Sequence, residues 1–201
     1  MIFGHPHPKL RATDPLPGNA ALIVIDVQDG FDNPFWGERN NLQAEERIAK
    51  LLSAWRESRR PIFHVQHLSR SSTSPLHPSN PGSKIKDIVR PLAQEQVFQK
   101  NVNSAFIGTD LEKTLRQNGI GTLVLAGLTT PHCVSTTARM AGNLGFETFL
   151  VGDATAAFAV SGPDGKRFSP EEVHAVSLAT LHGEFATVVD TQEVLAAALP
   201  S

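Results

Sequence analysis

The 201-residue chain contains one cysteine, Cys133, and no tyrosine. A single thiol cannot close an internal disulfide, so the fold owes nothing to an oxidising compartment and a cytoplasmic location is expected. Charge of neither sign dominates: 18 Lys and Arg stand against 20 Asp and Glu, without a run of five like charges. The chain therefore lacks the electrostatic footprint of a protein that binds nucleic acid or a membrane surface. No apolar run approaches the ~20 residues needed to span a bilayer. The first residues, MIFGHPHPKLRATDPLPG, carry no basic segment followed by an apolar stretch, so neither secretion nor membrane insertion is expected. A Gly-x-Gly-x-x-Gly after the first apolar run is also missing, which argues against a dinucleotide-dependent dehydrogenase. What remains is a partner of another kind, a small neutral or weakly charged molecule.

The length suits a single domain covering 1–201, large enough to bury a core and its own active site. Residues 1–18 read as an extended N-terminal arm. His5 and His7 offer two ligating rings there, but prolines at a chain terminus favour an extended segment, and no metal is expected. No other cofactor is implied.

Short β-rich runs alternate with longer segments of helical period, the pattern of a parallel sheet covered by helices on both faces. Six runs stand out: Ala21 to Val27, Pro61 to Leu68, Gln96 to Gln99, Thr122 to Gly127, Glu147 to Gly152 and Ala186 to Val189. Between them, Ala44, Ile48, Leu51, Leu52 and Trp55 share one helical face, and Leu111 and Leu115 mark a second helix that stops at Gly119. Two capping boxes are predicted, Thr109 with Glu112 and Ser169 with Glu172, the second followed by Pro170 and a helix running toward Gly183. Residues 69–84 are rich in Ser, Pro, Gly and Asn and form a long loop, read as a lid or an interface loop. The expected architecture is a doubly wound α/β domain with a six-stranded, mainly parallel sheet in an order like 3-2-1-4-5-6.

Ligands of such sheets bind beyond the C-terminal ends of the strands, at the point where the strand order reverses. Three polar residues fall there. Asp26 falls near the end of the first run, after four consecutive apolar residues, and a buried carboxylate needs a cationic or hydrogen-bonding partner. Lys100 closes the third run and supplies such a charge. Cys133 follows the fourth run by six residues, with Pro131 suited to a helix start, so its thiol is placed in a first helical turn. The helix dipole and a nearby ammonium both favour a thiolate, and free N–H groups suit an oxyanion. Asp26 would then take and return the thiol proton, provided burial raises its pKa against the pull of Lys100.

Four blocks, ALIVIDVQDGF, VFQKNVNSAFIGTDLEKTLRQNGI, LVLAGLTTPHCVSTTARMAGNLGF and LVGDATAAF, occur in this order across nearly the whole chain. In them the chain resembles the isochorismatase-like hydrolases, which include nicotinamidases and N-carbamoylsarcosine amidases. The resemblance implies a catalytic triad of Asp26, Lys100 and Cys133, a covalent thioester, a cis peptide between Leu128 and Thr129, and an oxyanion held by the backbone N–H groups of Thr129 and Cys133. The nicotinamidase metal motif, Asp-x-His after the second strand, is absent. His64 and His67 lie three apart on a predicted strand, on opposite faces, and cannot chelate one ion. His64 is read as a core histidine and His132 as a solvated one. The presence of a nucleophilic cysteine favours cleavage of a C–N bond over that of a vinyl ether. Gln28, Phe31, Trp36, His67 and Phe106 are the expected substrate-binding residues, and Asn103 and Ser104 the residues that orient Lys100. The expected activity is metal-independent hydrolysis of a small amide, carbamoyl or ureido compound by a homodimer or homotetramer. The alternatives are vinyl-ether or metal-assisted hydrolysis within the same family, and a silent binding or scaffold subunit.

Overall fold

The structure, a computed structural model, describes residues 15–198. Its sheet contains β1 (Ala21–Ile25), β2 (Ile62–His67), β3 (Gln96–Lys100), β4 (Thr122–Leu128) and β5 (Glu147–Ala156). A two-stranded ribbon follows, β6 (Val160–Ser161) and β7 (Arg167–Phe168), and then the last sheet strand, β8 (Thr187–Val189). The sheet order is β3-β2-β1-β4-β5-β8 and every neighbouring pair is parallel. This is the expected doubly wound order. The antiparallel ribbon was not anticipated, because two-residue strands are too short to show an alternation.

Five helices cover the sheet: α1 (Ala44–Glu57), α2 (Leu111–Gln117), α3 (Ser135–Asn143), α4 (Pro170–Leu181) and α5 (Thr191–Ala198). Side-chain alternation along β1 explains why both faces need cover. Leu22 and Val24 pack with Ile48, Leu51, Leu52 and Trp55 of α1 and with Val194 and Ala197 of α5. Ala21, Ile23 and Ile25 pack with Leu111 and Leu115 of α2, Ala138 and Ala141 of α3 and Leu181 of α4. Each large aliphatic side chain buried in these layers contributes about 1.5–3 kcal/mol. Among the described residues no helix is long and apolar enough to cross a membrane.

The two predicted capping boxes part company. Ser169 Oγ accepts from the Glu172 N–H (3.2 Å), and Glu172 Oε2 accepts from the Ser169 N–H (2.8 Å), so the box at α4 is complete. At α2 the N-cap is Asp110, one residue later than expected, and its side chain makes no capping hydrogen bond. Thr109 instead donates its hydroxyl to the Ala105 carbonyl and accepts from the Leu111 N–H at 3.3 Å, so it meets the first N–H of α2 from the turn before the helix.

The loop 69–84 is fastened to the turn after β1. Its Leu76 is buried against Phe31, and Gly82 meets Gly30 so closely that a Cβ on Gly30 would lie 2.8 Å from the Gly82 carbonyl oxygen. Of the arm 1–18, residues 1–14 with His5 and His7 lie outside the described residues. Leu16 donates its N–H to the Ala197 carbonyl (2.9 Å), which ties the end of the arm to α5.

Candidate active site

The chain runs from β1 out to β2 and β3 on one side and resumes with β4, β5 and β8 on the other. The crevice of this doubly wound sheet therefore opens at the C-terminal ends of β1 and β4. Asp26 follows β1 directly, in a left-handed backbone conformation (φ +52°) that is uncommon outside glycine. Its N–H donates to the Val65 carbonyl (2.9 Å), which prolongs the β1–β2 pairing by one residue. Lys100 ends β3, two strands away, and its extended side chain returns to place Nζ 2.6 Å from Asp26 Oδ2. Both side chains are completely buried.

Cys133 arrives from the other half of the sheet. Gly127 on β4 has φ +133°, and a Cβ there would stand 2.0 Å from the Ile25 carbonyl oxygen, so only glycine lets β4 pass β1 at this point. The Leu128–Thr129 peptide that follows is cis. Next comes a wide turn, Thr130–Val134, in which the Val134 N–H donates to the Thr129 carbonyl (3.3 Å), and α3 begins after it. The cysteine thus lies in a widened first helical turn that runs directly into α3. Its Sγ lies 3.3 Å from Lys100 Nζ and 3.8 Å from Asn103 Oδ1, and the residue is 8% exposed.

Burial sets the protonation states. It lifts the Asp26 carboxyl above its ordinary value and outweighs the opposing charge and hydrogen bond of Lys100. Burial, with the Asp26 charge beside it, pushes the Cys133 thiol up to about 12. Burial therefore works against the thiolate that the neighbouring lysine favours. Asp26 Oδ1 is buried without a hydrogen-bond partner, an acceptor open to a proton.

An oxygen of Asp26, a ring nitrogen of His67 and the sulfur of Cys133 all lie within 4.8 Å of one another, a donor set suited to a soft divalent metal. The ammonium of Lys100 already touches all three, with His67 Nδ1 at 3.1 Å, so the protein supplies its own cation at the centre of this cluster. His64, on the other face of β2, is in the core as expected and contacts Glu95 Oε2 at 2.9 Å.

Other expected pocket residues are used differently. Gln28 is fully buried and its amide is committed to backbone: Nε2 donates to the carbonyls of His67 (2.9 Å) and Ser83 (2.7 Å), and Oε1 accepts from the His67 N–H (2.8 Å). Phe106 stacks on Phe146 (5.9 Å between centroids) in the core layer of α2 and α3. Phe31 and Trp36 do converge near the crevice, in an aromatic group with Phe158 that packs on Leu128 beside the cis peptide. Phe158 ends the block LVGDATAAF, so its place was open to inference. Asn103 faces the sulfur instead of Lys100, and Ser104 Oγ accepts from the Phe106 N–H (3.2 Å). His132 is exposed, with Nδ1 3.1 Å from Thr129 Oγ1. A contact without any sequence signal joins His174 Nδ1 of α4 to Thr130 Oγ1 (2.9 Å), bracing the cysteine turn.

This doubly wound sheet, with a buried Asp–Lys–Cys cluster at its reversal point, is the architecture of a hydrolase family. The chain matches the Isochorismatase domain over residues 20–193 and belongs to the isochorismatase family of hydrolases. It is 51% identical over 175 residues to the isochorismatase family protein YrdC of Bacillus subtilis, covering 87% of this chain and 94% of that protein. An isochorismatase-family protein of Chromobacterium violaceum superposes with a TM-score of 0.88 at 44% identity, over 92% of this chain and 97% of the other. N-carbamoylsarcosine amidase from Thermoplasma acidophilum superposes with a TM-score of 0.67 at 26% identity, over 86% and 96% of the two chains.

Proposed function

We propose that this protein hydrolyses the C–N bond of a small amide, carbamoyl or ureido compound through a thioester on Cys133. The observation that carries the reading is the buried ammonium of Lys100, 2.6 Å from Asp26 Oδ2 and 3.3 Å from Cys133 Sγ. A nucleophile, a base with a vacant oxygen and a fixed positive charge share one site. Likeness to a carbamoylsarcosine amidase supports the substrate class.

The reaction starts from the Cys133 thiol and the Asp26 carboxylate. As Sγ bonds to the substrate's carbonyl carbon, the thiol proton passes to Asp26 Oδ1, so no free thiolate accumulates. The N–H groups of Thr129 and Cys133 hold the oxyanion. Collapse of the tetrahedral intermediate breaks the C–N bond while Asp26 returns the proton to the leaving nitrogen, which departs as ammonia or an amine. Water then attacks the thioester and Asp26 takes one of its protons. The C–S bond breaks, the acid leaves and the proton returns to sulfur. Throughout, the Lys100 ammonium offsets the negative charge on its neighbours. The reaction needs no metal ion, since this ammonium stands where a cation would be held.

The test is alkylation of Cys133 by iodoacetamide across pH 5–10, followed by intact mass, in the wild type and in Asp26→Asn and Lys100→Ala. Base assistance predicts a wild-type rate well above that of Asp26→Asn and less steeply dependent on pH. In Asp26→Asn the rate is slow and climbs tenfold per pH unit, the signature of an unassisted thiol. A wild type that itself climbs in that way, unaltered by either substitution, makes Cys133 a structural thiol and the chain a silent family member. A panel of primary amides, N-carbamoyl amino acids and ureido acids, with the acyl-enzyme sought by mass, then tests the substrate class.

A further inference from the structure

The ammonium of Lys100 has three N–H donors, and with no side-chain exposure it has no water to give them to. Three acceptors surround it: Asp26 Oδ2 at 2.6 Å, Cys133 Sγ at 3.3 Å and His67 Nδ1 at 3.1 Å. The first two belong to the proposed chemistry. The third has no part in proton transfer, yet without it one donor of a buried cation is left unsatisfied.

The histidine is itself held on several sides. A further hydrogen bond joins it to the backbone of Val102, two residues beyond Lys100, so the ring spans the end of the lysine's own strand. Its main chain is clamped by one side chain: Gln28 Oε1 accepts from the His67 N–H (2.8 Å) and Gln28 Nε2 donates to the His67 carbonyl (2.9 Å). Gln28 follows Asp26 by two residues, so the link from β1 through β2 to β3 returns to the residue it serves. The neutral ring is the form that accepts at Nδ1. Burial, together with the charge of Lys100 beside it, holds the ring's pKa down to about 4, so it stays neutral at physiological pH.

We propose that His67, braced by Gln28, is a positioning residue: its Nδ1 is the third acceptor that points the Lys100 ammonium between Asp26 and Cys133. This assigns both residues to the machinery behind the nucleophile instead of to substrate contact, and it rests on the reading of Cys133 as the nucleophile.

Asparagine and leucine at position 67 separate the possibilities. The Oδ1 of asparagine occupies nearly the place of histidine Nδ1 and accepts a hydrogen bond, whereas leucine keeps the bulk and accepts nothing. Iodoacetamide alkylation of the full chain at pH 7.5, read by intact mass, is expected to slow at least tenfold in His67→Leu and to stay within about threefold of wild type in His67→Asn. Circular dichroism of both variants confirms that each is folded. His67→Leu reacting at the wild-type rate overturns the proposal, as does a folded His67→Asn as slow as the leucine variant. Lys100→Ala and Asp26→Asn, measured beside them, keep the two ideas apart. If those slow and His67→Leu does not, only the histidine's role fails. If none slows, the nucleophile reading fails with it.

Discussion

Two buried carboxylate clusters sit at opposite ends of β3, and they are tuned in opposite directions. Glu95, just before the strand, receives Arg56 Nε (2.8 Å) and Nη2 (2.9 Å), contacts His64 Nε2 (2.9 Å) and accepts the Leu92 N–H (3.0 Å). With both oxygens saturated, its carboxyl is held down to about 2 despite burial. Asp26, reached by the lysine that ends the strand, has one cation on one oxygen and the Cys133 thiol beside it, and burial outweighs both and carries it upward. Counting donors tells the two apart: a carboxylate met on every side is a fastener, whereas one with a vacant, dehydrated oxygen is ready to accept a proton.

The sharpest way to break this contrast is to neutralise each carboxylate in turn. Asp26→Asn is expected to lower amide turnover by about 10²–10⁴-fold, the usual worth of a positioned base, measured on the amide that the substrate panel identifies. Glu95→Gln is expected to leave the rate of Cys133 alkylation within a factor of about three. Its effect falls instead on stability, a loss of about 1–3 kcal/mol read from urea unfolding, as hydrogen bonds made to a charge are weakened. Equal effects of the two substitutions on rate would erase the distinction.

Acid titration sharpens it further. Glu95 and Glu45 both have carboxyls held down to about 2, against an ordinary value of 4.5. Their stabilisation is fully present above 4.5 and is lost as the pH falls through 2. His67 runs the other way in charge: the unfolded ring takes a proton near 6.5 and the folded one only near 4. Stability therefore declines as pH falls from 6.5 to 4, and His64 and His174, also lowered by burial, add to that decline. Unfolding followed at pH 7, 5 and 3 is expected to show both stages, and His67→Asn to reduce only the first. The smallest effect is a control on α4: Ser169→Ala costs about 1 kcal/mol through loss of its cap and leaves the alkylation rate unchanged.

Much of the site was legible because charge interrupted a pattern. Asp26 interrupts an apolar run, Lys100 ends a strand, and Cys133 is the one cysteine in the chain, so each stood out before any coordinates. The fastening of Asp26 and Lys100 to each other followed from the cost of burying either alone. Gln28 and Phe106 misled for a shared reason: amide and aromatic groups suit a pocket and a core equally well, and only their neighbours decide. Thr109 shows the same limit on a smaller scale. Its spacing to Glu112 is right for a cap, but the helix starts one residue later, at Asp110, and Thr109 accepts from the Leu111 N–H.

The sequence by itself determined the succession of strands and helices and the layers they form, because alternation, helical period and punctuation are local properties of a chain, and it singled out Asp26, Lys100 and Cys133 as a candidate trio. Only the tertiary structure decided how that trio is poised. The state of the thiol, the vacant oxygen of Asp26 and the three acceptors around Lys100 depend on how much water is excluded. They depend also on which groups arrive from β1, β2, β3 and the turn after β4, segments far apart in the chain that meet at one crevice.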